Sequence, residues 1–387
     1  MDPLQNRISV LPHEILGEIF TQSSAVYPDA PIVLGAVSRV FRHVTYTTPL
    51  VWSHLKLSDT DESRKTRLWF ERSRACQVNV QVVMWPTAKS AHGVDATVEA
   101  PAAVEALRLY TARIASLSLR TDTHSQARAA LGAIYSDVSP TNTTLRSLRI
   151  SVAVAATLDP RAPFPAIHSV TELETTNVAL GTLASLDLTR LRSLRVVQPL
   201  LSAPVAADDI LELVRGAPSL QRLTVDARIA DEATTAAKAD PCVVVVPELT
   251  ELHLRANNVV ALLDRVMVPE LRVLHLDDLD GKRANASAEI GATLHQLLVR
   301  IDRDEKSGDH LRVFELVGVE VERSDASWKQ CLQRMKALEV FTVSSPGENI
   351  IAVVDASIEA PRKARPIKAG FAFGFGFGAP REVGTSA

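Results

Sequence analysis

The chain has 387 residues, 46% of them hydrophobic and 22% charged, a balance that excludes disorder throughout and allows about two to four domains or one long repeat array. With 42 basic against 45 acidic residues the net charge is −3, so no global field draws the protein to nucleic acid or to an anionic membrane, and neither is expected as a partner. Cys76, Cys242 and Cys331 are odd in number and far apart, which excludes a disulfide framework and a Cys-rich zinc site and points to the cytoplasm or nucleus.

Residues 8–57 read as short helices. Pro12 suits a helix start, where amide donors have no partner anyway, and Ile15, Leu16, Ile19 and Phe20 follow at helical spacing. The pattern resumes from Ile32 to Val44 with a junction near Ser38, and Pro49 breaks it before Leu50, Val51 and Trp52. Residues 63–74 predict a charged amphipathic helix, residues 78–85 a strand, and a boundary between an N-terminal module (1–60) and the remainder falls near residue 60. No run of about 18–20 apolar residues predicts a membrane span, and the opening MDPLQNRISVLPHEIL lacks the basic start and clean apolar core of a signal peptide.

From residue 114 onward one pattern recurs: a large apolar residue, two variable ones, an apolar, a variable and an apolar. It runs from Ile114-Leu117-Leu119 and Leu145-Leu148-Ile150 to Leu338-Phe341-Val343, with a degenerate copy at Val170-Leu173-Thr175. Successive copies begin 21 to 40 residues apart, mostly near the period of a leucine-rich repeat. The last two apolar residues of a copy are two apart, so they share one side of a short strand. One unit cannot bury that side alone, whereas stacked units share a continuous core. The expected fold is therefore α/β over residues 61–357: an irregular leucine-rich-repeat solenoid with a parallel sheet on the concave side and helices on the convex side, among them residues 206–216 and 288–300. The copy at 249–257 alone carries an asparagine, Asn257, at its ninth position, and a polar insertion is expected around Asp302–Asp309. Residues 358–387, basic and then Phe/Gly-rich, are expected to be a disordered tail.

The N-terminal residues resemble an F-box. Leu11-Pro12-His13-Glu14-Ile15-Leu16 with Ile19-Phe20 is similar to its opening LPxEIL..IF signature. Val37-Ser38-Arg39-Val40-Phe41-Arg42 and Pro49-Leu50-Val51-Trp52, leading through Leu55 and Leu57 into a first strand, are similar to its later segments. An insertion around Tyr27–Pro31 and Phe41 in place of tryptophan depart from the pattern. Residues 68–73 resemble the segment that follows the F-box in many fungal proteins with irregular leucine-rich repeats.

The resemblance implies a substrate-recognition subunit of an SCF-type ubiquitin ligase, without chemistry of its own. The F-box would dock on a Skp-type adaptor of a cullin-based ligase, and the repeats would bind a protein target; the alternative is a scaffold whose binding leads to no degradation. Leu11, Pro12, Ile15, Leu16, Ile19, Phe20, Val51 and Trp52 are the implied adaptor contacts, with Trp52 the favoured aromatic anchor.

Positions flanking the inward residues of each strand would form the target-binding face, best represented by Arg222, Glu251, His253, Arg255, His275 and Asp277. Arg149, Arg195, Arg222 and Arg255 would form either a phosphate-binding ladder or ion pairs with Glu172, Glu174, Glu251 and Asp226. His253, His275 and Asp277 on adjacent strands hold ligand atoms but lack a visible further ligand, so no metal is expected. His13-Glu14 starts like HExxH, yet Gly17 takes the second histidine's place. With no P-loop and no G-x-S-x-G, neither enzymatic activity nor a cofactor is expected.

Overall fold

The computed structural model describes residues 11–58, 60–84, 100–136, 143–153, 163–199, 202–230, 243–279, 286–301, 311–318, 326–335 and 337–344. The chain divides into two units, 1–350 and 351–387, and every described residue belongs to the first. The tail expected at 358–387, the insertion around Asp302–Asp309 and Cys242 lie outside the described residues.

The N-terminal helices are α1 (His13–Val26), α2 (Ala30–Val37) and α3 (Arg39–Thr47). Pro12 is the N-cap of α1, just outside the first turn, where its missing amide costs nothing. Pro31 occupies the first turn of α2, and Ser38 separates α2 from α3 because its hydroxyl accepts the Phe41 amide at 3.1 Å. A 3-10 turn, Pro49–Trp52, then carries the chain directly into β1 (His54–Ser58).

Among the described residues, eleven parallel strands form one sheet. They are β1, β2 (Val78–Met84), β3 (Ile114–Thr121), β4 (Ser147–Val152), β5 (Glu172–Thr176), β6 (Ser193–Val197), β7 (Arg222–Ala227), β9 (Glu251–Ala256), β11 (Val273–Asp278), β12 (Val313–Val317) and β13 (Val340–Ser344). Each pairs with its neighbours in chain order. The two short strands between them, β8 (Val244–Val245) and β10 (Val266–Met267), pair with each other instead.

The repeat becomes a lateral register. Leu55, Val80, Leu117, Leu148, Leu173, Leu194, Leu223, Leu252, Leu274, Phe314 and Phe341 stand side by side across the sheet. A second row two residues on runs from Leu57 to Val343. All but the last member of the first row are buried, each contributing about 1.5–3 kcal/mol of apolar transfer energy. Parallel strands need crossover connections, and these carry α4 (Ser63–Arg72), α5 (Ala102–Glu105), α6 (His124–Tyr135), α7 (Ala207–Arg215), α8 (Val260–Leu263), α9 (Ala286–Ile301) and α10 (Ala326–Arg334). Buried residues of α6 and α7 join the inward strand residues in one core, so the helices cover one side of the sheet and leave the other open. Their lengths are as uneven as the unit spacing, from 4 residues in α8 to 16 in α9.

Backbone bonds repeat with the units. The Arg146, Thr171, Arg192, Gln221, Thr250, Arg272 and Arg312 carbonyls each accept two consecutive amides from the next unit. Asn257 bridges the same way through its side chain, accepting the Ile229 amide at 2.6 Å and donating to the Ile229 carbonyl at 3.2 Å. Asn177 and Gln198 also bond backbone carbonyls, Val152 O at 3.1 Å and Val178 O at 2.7 Å, a role that the ninth-position pattern does not reveal.

The sheet begins at His54, where β1 pairs with β2 through five consecutive residues. The degenerate copy is a full member: β5 pairs on both sides, and Thr175 is buried in an apolar row with no hydrogen-bond partner for its hydroxyl among the described residues. No helix among the described residues is long and apolar enough to cross a membrane.

Candidate functional site

Two surfaces of opposite chemistry emerge. The first lies on the N-terminal helices. α1 turns Leu16, Gly17, Phe20 and Ser24 inward. Ile15 and Ile19, four residues apart and so on one helix face, remain 49% and 45% exposed. α2 turns Pro31 and Gly35 inward and leaves Ile32, Val33 and Val37 in solvent. Val26, Tyr27, Val40, Tyr46 and Leu50 are exposed as well. Ten of the fourteen exposed large apolar side chains among the described residues thus fall between Ile15 and Leu50. Single exposed apolar residues are ordinary, whereas such a concentration in about a seventh of the described residues marks a surface built to be covered.

The eight expected adaptor contacts separate into two groups. Ile15, Ile19 and Pro12 are exposed, and Leu11 is half-buried against the core. Leu16, Phe20, Val51 and Trp52 are at most 2% exposed and support the surface from beneath, which removes Trp52 as an anchor offered to a partner. Its indole donates to the Thr45 carbonyl at 2.8 Å and meets Trp69 edge-on, the ring centroids 5.2 Å apart. Trp69 in turn donates to the His54 carbonyl at 2.8 Å. The two indoles therefore join the helices, α4 and β1 in one packed block. Signature spacing picks out these residues but not which side of the helix the Pro49–Trp52 turn and the neighbouring helices cover.

The second surface is the open side of the sheet, where register brings the expected residues together. Arg222 stands opposite Glu251, Thr224 opposite His253, and Asp226 opposite Arg255 on β7 and β9. On β11, His275 stands opposite His253 and Asp277 opposite Arg255. Arg255 lies between two carboxylates, 3.5 Å from Asp226 and 3.2 Å from Asp277. Arg149 and Arg195 share Glu174, at 2.7 and 3.9 Å. Of the four arginines, then, three are ion-paired in the plane of the sheet; Arg222 makes no ion pair within 4.0 Å among the described residues.

The two imidazoles of His253 and His275 have centroids 5.6 Å apart, and His275 Nδ1 donates to Glu315 Oε2 at 2.8 Å. Glu315, outward on β12 where the repeat pattern Leu311-Phe314-Leu316 puts it, joins this cluster through its lateral pairing with His275. Burial holds His253 below its ordinary range, and the neighbouring His275 adds to the effect. Burial raises the Asp277 carboxyl above its ordinary range, against the opposing pull of Arg255.

Asp277 is bound to Arg255 and His275 to Glu315, and no group of three or more His, Cys, Asp or Glu among the described residues is arranged to hold a metal ion. Cys331 is buried, its thiol 3.4 Å from the Gly291 carbonyl, and Cys76 is half-buried. No protein-family model matches the chain, and no curated protein sequence does either.

Proposed function

We propose that the protein is a two-ended protein-binding adaptor: the substrate-recognition subunit of an SCF-type ubiquitin ligase. The N-terminal helices act as an F-box that docks on the Skp-type adaptor. The stacked units act as an irregular leucine-rich-repeat solenoid whose open face recruits the target. The observation that carries this reading is the concentration of exposed apolar side chains between Ile15 and Leu50, on the same residues whose order resembles an F-box. The protein contributes proximity: a target held on the sheet and a ligase held on the helices meet at an effective concentration set by their spacing.

The test is complex formation between the purified full chain and a Skp-type adaptor. Ile15→Asp and Ile19→Asp place charge on exposed positions and should weaken the complex at least about tenfold while leaving thermal unfolding nearly unchanged. Leu16→Ala should weaken binding only as far as it destabilises the fold. An intact chain that does not bind the adaptor would overturn the docking assignment. Ubiquitin-dependent turnover of a protein captured on the open face separates ligase recruitment from a purely scaffolding role.

A further inference from the structure

Outward charge is not distributed evenly along the sheet. On β1 to β4 the outward charged side chains are Lys56, Arg120 and Arg149, with no carboxylate among them. On β5 to β12 six carboxylates stand outward: Glu172, Glu174, Asp226, Glu251, Asp277 and Glu315. Only Arg195, Arg222 and Arg255 oppose them there. The open side is therefore divided by sign: an excess of three positive charges over the first four strands, and of three negative charges over the strands that follow.

In-plane pairing crosses the division at one place, where Arg149 on β4 meets Glu174 on β5 at 2.7 Å. Within the second half Arg255 is taken by Asp226 and Asp277, and Arg195 stands 3.9 Å from Glu174. Glu172 and Glu251 make no ion pair within 4.0 Å among the described residues and keep their oxygens for a ligand. Because the strands are adjacent in chain order, the gradient runs straight across them. From β1 to β12 it covers nine strand steps, about 43 Å at ~4.8 Å per step. An extended segment of about 13 residues spans that distance.

We propose that the open side of the sheet takes an extended segment of a partner protein whose charges are segregated, an acidic stretch over β1–β4 followed by a basic stretch over β5–β12. Charge complementarity selects this occupant: a uniformly acidic segment is repelled by the second half, and a uniformly basic one by the first. The inference rests on the open face being the target-binding surface. It does not depend on what the N-terminal helices bind.

The experiment uses the full chain and two labelled synthetic peptides of identical composition, one with a glutamate block followed by a lysine block, the other alternating the two residues. Fluorescence anisotropy should show the block peptide binding at least about tenfold more tightly, with the advantage shrinking as salt rises. The double substitution Lys56→Glu with Glu251→Lys reduces each half from three net charges to one and should remove most of that preference. Lys56→Gln with Glu251→Gln, milder for folding, should remove part of it. Equal binding of the two peptides, including no binding of either, overturns the inference, as does a preference that survives both double variants. Adaptor binding measured on the same preparation separates the two readings. A protein that binds the adaptor but ignores charge order overturns only the present inference. One that prefers the block peptide but ignores the adaptor overturns only the docking assignment.

Discussion

The N-terminal helices and the open side of the sheet are both exposed, yet they are finished in opposite ways. Between Ile15 and Leu50 ten large apolar side chains stand exposed among polar ones and find no cover within the described residues. On the sheet they are polar, and several of the charged ones pair with one another, Arg149 with Glu174 and Arg255 with Asp226 and Asp277. A bare apolar surface gains by excluding water and suits a lasting partner. A pre-paired charged surface gains little until a ligand of matching pattern replaces its solvent, and so favours selection over affinity. The comparison teaches that a single continuous core can support a stable assembly face at one end and a discriminating face along its side.

The largest expected effect comes from breaking the block that joins the two regions. Trp52→Ala removes a buried indole, its bond to the Thr45 carbonyl and its contact with Trp69, and should cost about 3–5 kcal/mol in chemical denaturation. Ile15→Asp, in the same module, should cost less than about 0.5 kcal/mol. Similar costs for both would mean that Ile15 is covered in solution and would erase the contrast between core and surface.

Next comes Gly318, with φ +77° at the end of β12. A Cβ there would stand 2.6 Å from the Asp278 carbonyl oxygen. Gly318→Ala should destabilise by about 1–3 kcal/mol and loosen β12 against β11, seen as faster amide exchange in both strands. Unchanged exchange would show that this turn does not hold the second half of the sheet together.

A smaller effect, of opposite sign, is expected inside the core. Thr175→Val replaces a buried hydroxyl that has no partner among the described residues with a methyl group of similar size, in a row otherwise filled by apolar side chains. It should stabilise the protein by about 1 kcal/mol, read from the denaturation midpoint. A loss of stability would show that the hydroxyl is solvated after all.

The smallest effect sharpens the description of the charged face. His253 is held below its ordinary value of 6.5, first by burial and then by His275. Between that lowered value and 6.5 the unfolded chain binds more protons than the folded one. Stability therefore falls as the pH drops through this window, and the loss is absent above it. His253→Gln should flatten that slope in a pH series of unfolding midpoints; an unchanged slope would show that His253 stays solvated.

Local patterns carried much of this structure. The helix over residues 63–74, the strand over 78–85, the junction at Ser38 and the helices at 206–216 and 288–300 are all present within a few residues. The apolar triplets from Ile114 to Val343 became strand after strand in register. What stayed hidden depends on neighbours remote in the chain. Thr175 breaks the apolar pattern but is carried by strands on both sides. Glu315 becomes a partner of His275 only through pairing across 40 residues. Asn177 bonds the unit before it although it stands one place short of the repeat's asparagine position.

Alternation with a period of two determined, residue by residue, which side chains of each strand turn inward, because successive residues of an extended chain point to opposite sides whatever surrounds them. That alone placed Arg222, Glu251, His253, Arg255, His275 and Asp277 on one exposed face. No such rule chooses among the apolar residues of α1, since helical spacing makes Ile15 and Leu16 equally eligible for burial. The choice was made by packing: Val51, Trp52 and Trp69 fill the space beside Leu16 and Phe20, and Ile15 and Ile19 are left facing water.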